Sequence, residues 1–244
     1  MKFEGAPIQT KGLARQIADQ LRQAIIEGQL KAGDRLPTEE ELSRRYGVSR
    51  PTIREALKRL AAQKLVRSRR GPSGGTFINQ LDAADVAEGL GTGLMLMVGL
   101  GEVGLEQVAE ARHALESLCL GLAVERRGTD ELEKMAREIE HQRDPATTDE
   151  EFCASDVRFH QALAEASGNP VLKVLAGAVL ESLQPATNLL IYRHRDRAQV
   201  VAQHTALLGA LERRSVVDAR AALDELMETL RDQYARVQEE RGRT

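Results

Sequence analysis

Apolar positions recur every three or four residues along most of the chain, and the breaks between these runs predict the elements. In 10–28, Leu13, Ile17, Leu21, Ala24 and Ile25 make one helical face, with Gly28 placed to stop it. A turn at 31–34 leads to a second, short helix. Thr38 with Glu41 three residues on is a capping-box pattern, and Glu39, Glu40 and Glu41 suit the positive end of a helix dipole; Gly47 ends this helix after Tyr46. Ser49 caps a third helix, and Pro51 falls in its first turn, where a missing N–H costs little. Its apolar face is Ile53, Ala56, Leu57, Leu60 and Ala61. The period then changes: 65–68 and 76–78 read as short strands around the basic, glycine-rich 69–75, a hairpin with a flexible tip.

Residues 80–83 read as a linker, followed by a short helix that ends before the glycine-rich 89–104. Beyond it the pattern is helical throughout, at 105–127, 130–142, 149–167, 170–191, 197–213 and 216–239, with Asn169 and Pro170 as an N-cap and N1 pair. Short polar connections imply antiparallel packing. The expected fold is mainly α. An N-terminal winged helix-turn-helix with a small β-hairpin (1–80) precedes an all-α antiparallel bundle (81–244).

Charge sharpens this division. The chain of 244 residues has a net charge of -3, but 1–80 holds 16 Lys and Arg against 8 Asp and Glu, while the rest holds 18 against 29. A basic head on an acidic body suits a polyanion-binding module joined to a part that does not bind polyanions. Two helices around a glycine turn, the second led by Ser49, Arg50, Thr52 and Arg54, present basic and hydroxyl groups to a nucleic-acid groove. A hairpin tip carrying Arg70 and Gly71 suits a minor groove, where arginine is favoured and glycine lets the backbone approach. Cys119 and Cys153 lie within helical patterns without metal spacing, as buried thiols of a reducing compartment do. With no leader-like or membrane-spanning run, a cytoplasmic protein is expected.

In the body the informative residues are polar ones on apolar faces. On 105–127 the stripe is Val108, Ala111, Leu115, Leu118, Cys119 and Leu122; Arg112 borders it and His113 points away. A guanidinium there needs an anionic partner, either Glu116 one turn on or a bound carboxylate. Asp156 and His160 lie at i and i+4 along the edge of a face set by Phe152, Phe159 and Leu163, near enough to share a metal or to bond each other. His204 sits centrally among Val200, Val201, Leu207, Leu208 and Leu211.

The run IIEGQLKAGDRLPTEEELSRRYGVSRPTIREAL and the hairpin GPSGGTFI resemble the winged helix-turn-helix of GntR-type bacterial transcription regulators. The resemblance implies that Arg50 and Arg54 contact bases or phosphates, Ser49 and Thr52 phosphates, and Arg70 with Gly71 the minor groove. Glu40 departs from it, standing where many members carry a base-reading Arg. More diffusely, Glu110-Ala111-Arg112 with Glu116, Asp156 to His160, 167–170 and His204 resemble the ligand-binding domain of the FadR-like branch. Many members of that branch hold a divalent metal such as zinc with Asp and three His, beside a carboxylate effector. Asp156, His160 and His204 match three positions, and Leu226 stands where the fourth His is expected. Arg112 would meet the effector carboxylate. Other members bind acyl-CoA or acids without metal, so both alternatives stand. The resemblance thus implies a homodimeric DNA-binding regulator, a repressor of an operator duplex tuned by a small carboxylate or acyl effector. An enzyme built on Asp156, His160 and His204 would lack any HExxH, GxSxG or P-loop signature.

Overall fold

The computed structural model describes residues 12–71, 74–80, 82–186 and 195–242. Pro72, Ser73, Leu81 and the expected ends of the helices at 10–11 and 187–191 lie outside the described residues. The chain forms two compact units, Met1–Asp82 and Ala83–Thr244.

In the first unit, α1 (Leu13–Ile26), α2 (Glu39–Tyr46) and α3 (Arg50–Ala62) precede β1 (Val66–Arg69) and β2 (Gly75–Ile78). The α2 cap is reciprocal: the Glu41 amide donates to Thr38 Oγ1 at 3.2 Å, and the Thr38 amide to Glu41 Oε2 at 2.7 Å. Gly47 closes α2 in the left-handed region at φ 65°, open to glycine without a Cβ penalty. Ser49 Oγ then accepts from the Thr52 amide and starts α3. Ile53, Ala56, Leu57 and Leu60 face Ile17, Leu21, Leu36, Leu42, Val66 and Ile78 in a core of aliphatic side chains. The hairpin is antiparallel, pairing Val66 with Ile78 and Arg69 with Gly75, and Arg35 adds a bridge to Phe77.

The second unit holds α4 (Ala83–Gly99), α5 (Leu105–Arg126), α6 (Thr129–Arg143), α7 (Asp149–Ala166), α8 (Pro170–Ala186), α9 (Arg197–Glu212) and α10 (Val216–Gly242). The expected short helix before a glycine-rich segment is corrected: α4 runs unbroken through Gly89, Gly91 and Gly93. Packing overrides propensity here. A Cβ on Gly91 would meet the Ala178 carbonyl oxygen at 3.0 Å, so glycine lets α4 lie close on α8.

A second correction concerns α5. Its buried side is Val108, Ala109, Arg112, Glu116, Cys119, Leu120, Ala123 and Val124, whereas Leu118 is 60% exposed and Ala111 is exposed. The inward face is rotated from the purely apolar stripe, which brings Arg112 from its border to its centre. His113 does not point away; its Nε2 lies 2.7 Å from Asp224 Oδ1. His160, expected at an edge, is fully buried.

Candidate nucleic-acid interface and buried polar site

At the head, the first turn of α3 is anchored by its cap. Ser49 Oγ and Thr52 Oγ1 lie 2.8 Å apart, and Ser49 also receives the Thr52 amide, so both hydroxyls serve the helix start while Ser49 stays exposed. Arg50 and Arg54 project one turn apart, more than half exposed, and each meets an acid of α2. Arg54 donates to both Glu39 oxygens, from Nη2 at 2.9 Å and Nε at 3.3 Å. Arg50 Nη2 lies 2.7 Å from Glu40 Oε2. Glu39 holds the Arg54 guanidinium above its ordinary pKa. At the hairpin, Arg70 and Gly71 are exposed, and Gly71 takes φ 110°. Gly74 is enclosed by backbone: a Cβ there would meet the Arg69 carbonyl oxygen at 2.6 Å, so the loop tolerates no side chain at that point.

The bundle hides its polar groups. Arg112 Nε donates to Glu116 Oε1 at 2.7 Å, the two residues being 4% and 1% exposed. Glu116 Oε2 reaches His160 Nδ1 at 2.9 Å, an ion-pair distance without hydrogen-bond geometry. His160 and His204 meet edge to face with ring centroids 5.3 Å apart, and Phe159 stacks on His204 at 3.9 Å. His204 Nδ1 faces Gln142 Oε1 at 2.8 Å, and its Nε2 lies 3.4 Å from Asp156 Oδ1. One donor atom each from Asp156, His160 and His204 falls within 4.8 Å of the others.

Burial drives the titration of this cluster. It pulls His204 down to about 3 despite Asp156. Burial alone would raise the carboxylates, but Arg112 and His160 outweigh it at Glu116, which falls to about 2. Arg195, with both histidines and Arg112, outweighs it at Asp156 and holds that carboxyl well below its usual range. A neutral His204 that donates Nδ1–H to Gln142 turns a lone pair on Nε2 toward the Asp156 carboxylate. Two acceptors then face each other, and a cation held by them would relieve the repulsion. His160 Nε2 and His204 Nε2 are buried and find no hydrogen-bond partner among the described residues. These donors therefore fit a divalent cation with three protein ligands and an open remainder. Leu226 is buried nearby and supplies no ligand.

Asp156 also lines a cavity of about 20 Å³, together with Arg112, Arg195, Gln203, Leu226 and Gln233, among others. Such a volume holds a water or two rather than a chain. Arg112 Nη2, Gln203 Oε1 and Tyr234 Oη are also buried without hydrogen-bond partners among the described residues.

The profile of the bacterial regulatory proteins of the gntR family matches 13–78, and that of the FCD domain matches 107–229. The chain belongs to the FCD-domain family, and its head carries the gntR-family domain. This regulator is 29% identical over 234 residues to the HTH-type transcriptional regulator YcbG of Bacillus subtilis, covering 96% of this chain and 95% of that one. It is 28% identical over 228 residues to the HTH-type transcriptional repressor NanR of Cronobacter sakazakii, covering 89% and 83%. The solved Streptococcus agalactiae GntR shares the fold, with a TM-score of 0.63 at 24% identity over 90% of this chain and 99% of that chain. These relatives are transcription regulators, not enzymes. No helix among the described residues is long and apolar enough to cross a membrane.

In the gntR-family head, the expected contact residues Ser49, Arg50, Thr52 and Arg54 fall together on α3, and Arg70 with Gly71 on the hairpin. In the FCD domain, α7 and α9 bring Asp156, His160 and His204 together, while α5 supplies Arg112. Sequence reasoning missed Gln142, Gln203, Gln233, Tyr234 and Arg195. Four of these lie within α6, α9 and α10, where no local pattern marks them as inward, and Arg195 precedes α9. Glu116 was visible as the partner one turn beyond Arg112.

Proposed function

We propose that this regulator is a homodimeric repressor of the FadR-like branch, whose grip on operator DNA is set by a small, polar carboxylate bound in the FCD domain. Arg50 and Arg54 read the major groove, Ser49 and Thr52 meet phosphates as they cap the helix, and Arg70 with Gly71 enter the minor groove. Two heads on a two-fold axis would span adjacent groove faces of a palindromic operator. The branch assignment rests on the Asp156, His160 and His204 pattern in this chain.

The observation that carries the sensing role is the pair of buried, unsatisfied polar atoms, Arg112 Nη2 and Gln203 Oε1, on residues that line the cavity. Burying such atoms without partners costs about 1–3 kcal/mol each, a cost that a ligand would lift. Asp156, His160 and His204 would hold a divalent cation, zinc by the imidazole-rich donor set. When bound, the cation would supply a fixed positive charge and open positions for an anionic oxygen. Gln142 orients the His204 ring, and Glu116 braces Arg112 and His160. Arg112 would meet the effector carboxylate through Nη2, with Gln203, Gln233 and Tyr234 available to its other polar groups. Arg195 adds a second positive charge. The polar, positively charged lining favours a compact carboxylate over a fatty acyl chain, and the cavity, which holds a water or two as it stands, would have to widen to admit it. The effector shifts the regulator only through its different affinity for the DNA-bound and free arrangements.

The experiment is a thermal-shift screen of the full chain, stripped of metal and then reloaded with zinc, against small carboxylates and acyl-CoA esters. Stabilisation by a small carboxylate that requires Arg112 supports the proposal. Stabilisation by acyl-CoA alone, or a response unchanged in Arg112→Ala, would overturn it.

A further inference from the structure

Every strongly exposed arginine at the start of α3 is held by an acid from α2, and this pairing has no structural need. Neither Glu39 nor Glu40 is required to cap α2, because Thr38 and Glu41 already satisfy one another there. The pairs are solvent-exposed, with side-chain exposures of 58% and 38% for Arg54 with Glu39 and 57% and 56% for Arg50 with Glu40. Exposed pairs of this kind contribute little to folding. Their position is what matters. The acids stand beside the first turn of α3, from which a helix-turn-helix presents its reading groups. Glu39 also lines a groove that runs from Arg35 and Thr38 to Arg69 and Gly75 of the hairpin, so its charge lies within the face the head turns to a polyanion. Arg44 also lies 3.8 Å from Glu40, so this one carboxylate faces two guanidinium groups.

We infer that Glu39 and Glu40 set how well the head discriminates between DNA sequences, by holding Arg54 and Arg50 until a base edge offers a better partner. The inference rests on the reading of α3 as the recognition helix. Phosphates offer an arginine a salt-dependent attraction that is the same at every sequence. A carboxylate already on that arginine cancels much of the attraction and repels the phosphate itself. A guanine edge offers two acceptors in the geometry of the guanidinium fork, which a wrong base does not. Transfer from carboxylate to base is therefore favoured at the right site and disfavoured along arbitrary duplex. Discrimination arises from the difference between the two affinities, and an element that weakens the wrong complex serves it as well as one that strengthens the right complex.

The test uses the full chain and two duplexes of equal length and composition: one selected from a random library by the unaltered protein, the other scrambled. Binding is followed by fluorescence anisotropy across a potassium chloride series for the unaltered protein, Glu39→Gln, Glu40→Gln and the double variant. Glu55→Gln is the control, since it removes one charge from α3 but frees Arg59, whose Nε lies 3.5 Å from Glu55, further along the helix. In the double variant, affinity for the scrambled duplex should rise about 10-fold at low salt, with the salt slope steeper by roughly 0.9 for each arginine that gains a phosphate. Affinity for the selected duplex should rise by less, so the ratio of the two falls. Glu55→Gln should leave that ratio unchanged. Equal gains on both duplexes, or an equal effect of Glu55→Gln, would show that only net charge matters and overturn the inference. Loss of affinity for both duplexes would make the acids supports for DNA contact and overturn it too. If the unaltered protein enriches no sequence at all, the assignment of α3 fails together with it.

Discussion

The head and the bundle handle charge in opposite ways. In the first unit the core is aliphatic and the proposed contact groups lie outside it, so that, apart from Ser49 and Thr52 at the α3 cap, folding and the proposed DNA contact occupy separate residues. In the second unit Arg112, Glu116, His160 and His204 are buried within the apolar core itself. A surface group can be exchanged at small cost to the fold. A buried charge cannot, because removing its partner leaves it desolvated and unpaired. Away from the cap at Ser49, the head should therefore lose function without losing structure, while the bundle should lose both.

Four substitutions or conditions would sharpen or break this contrast. The largest effect is expected from Glu116→Ala, which strips the partner from a buried guanidinium. The bundle should lose about 3–5 kcal/mol in denaturant unfolding; a loss below about 1 kcal/mol, within the range of exposed pairs, would erase the distinction. Acid comes next. His204 is pulled from 6.5 to about 3 in the folded chain, so between those values the unfolded state binds the extra proton. Folded-state stability should fall as pH drops through that window, by up to about 1.4 kcal/mol per pH unit from this group. Glu116, lowered from 4.5 to about 2, adds a loss of the same sign below pH 4.5. A flat melting temperature from pH 6.5 to 4 would contradict the burial of neutral His204. In the head, Arg54→Ala should weaken operator binding roughly 10- to 100-fold with the melting curve unchanged; a coincident drop in melting temperature would mean that this residue also holds the head together. Smallest is Ser49→Ala, expected to cost about 1 kcal/mol through the lost α3 cap, measured by thermal unfolding of the full chain.

The same contrast explains what the sequence made legible. Thr38, Glu41, Gly47, Ser49 and Pro51 act through local geometry, so α2 and α3 could be bounded from neighbours in the chain alone. The position of Arg112 depends on what α7 and α10 place opposite it. An apolar count rejects a charged residue from the inward face, which is why the stripe on α5 was drawn through Ala111 and Leu118 and missed its true centre. His204 was readable because aliphatic residues flank it on both sides. Gln142 was not, because an amide near the end of a charged helix looks solvated until His204 is brought to it from another helix. Glu39 and Glu40 were read as dipole-matching acids, correctly for α2. Their partners on α3 lie 15 and 10 residues on, and only the turn between the helices brings the two sets together.

Helix α4 carries its own consequence. Gly89, Gly91 and Gly93 each cost a helix interior about 1 kcal/mol relative to alanine, so this segment has little tendency to coil without a partner. Its order is borrowed from α8, along the seam where Gly91 meets Ala178. As a free peptide, 83–99 would be unstructured. Within the protein, its amide protons would exchange at a rate that reports how firmly α8 is seated, making α4 a gauge of its neighbour's packing.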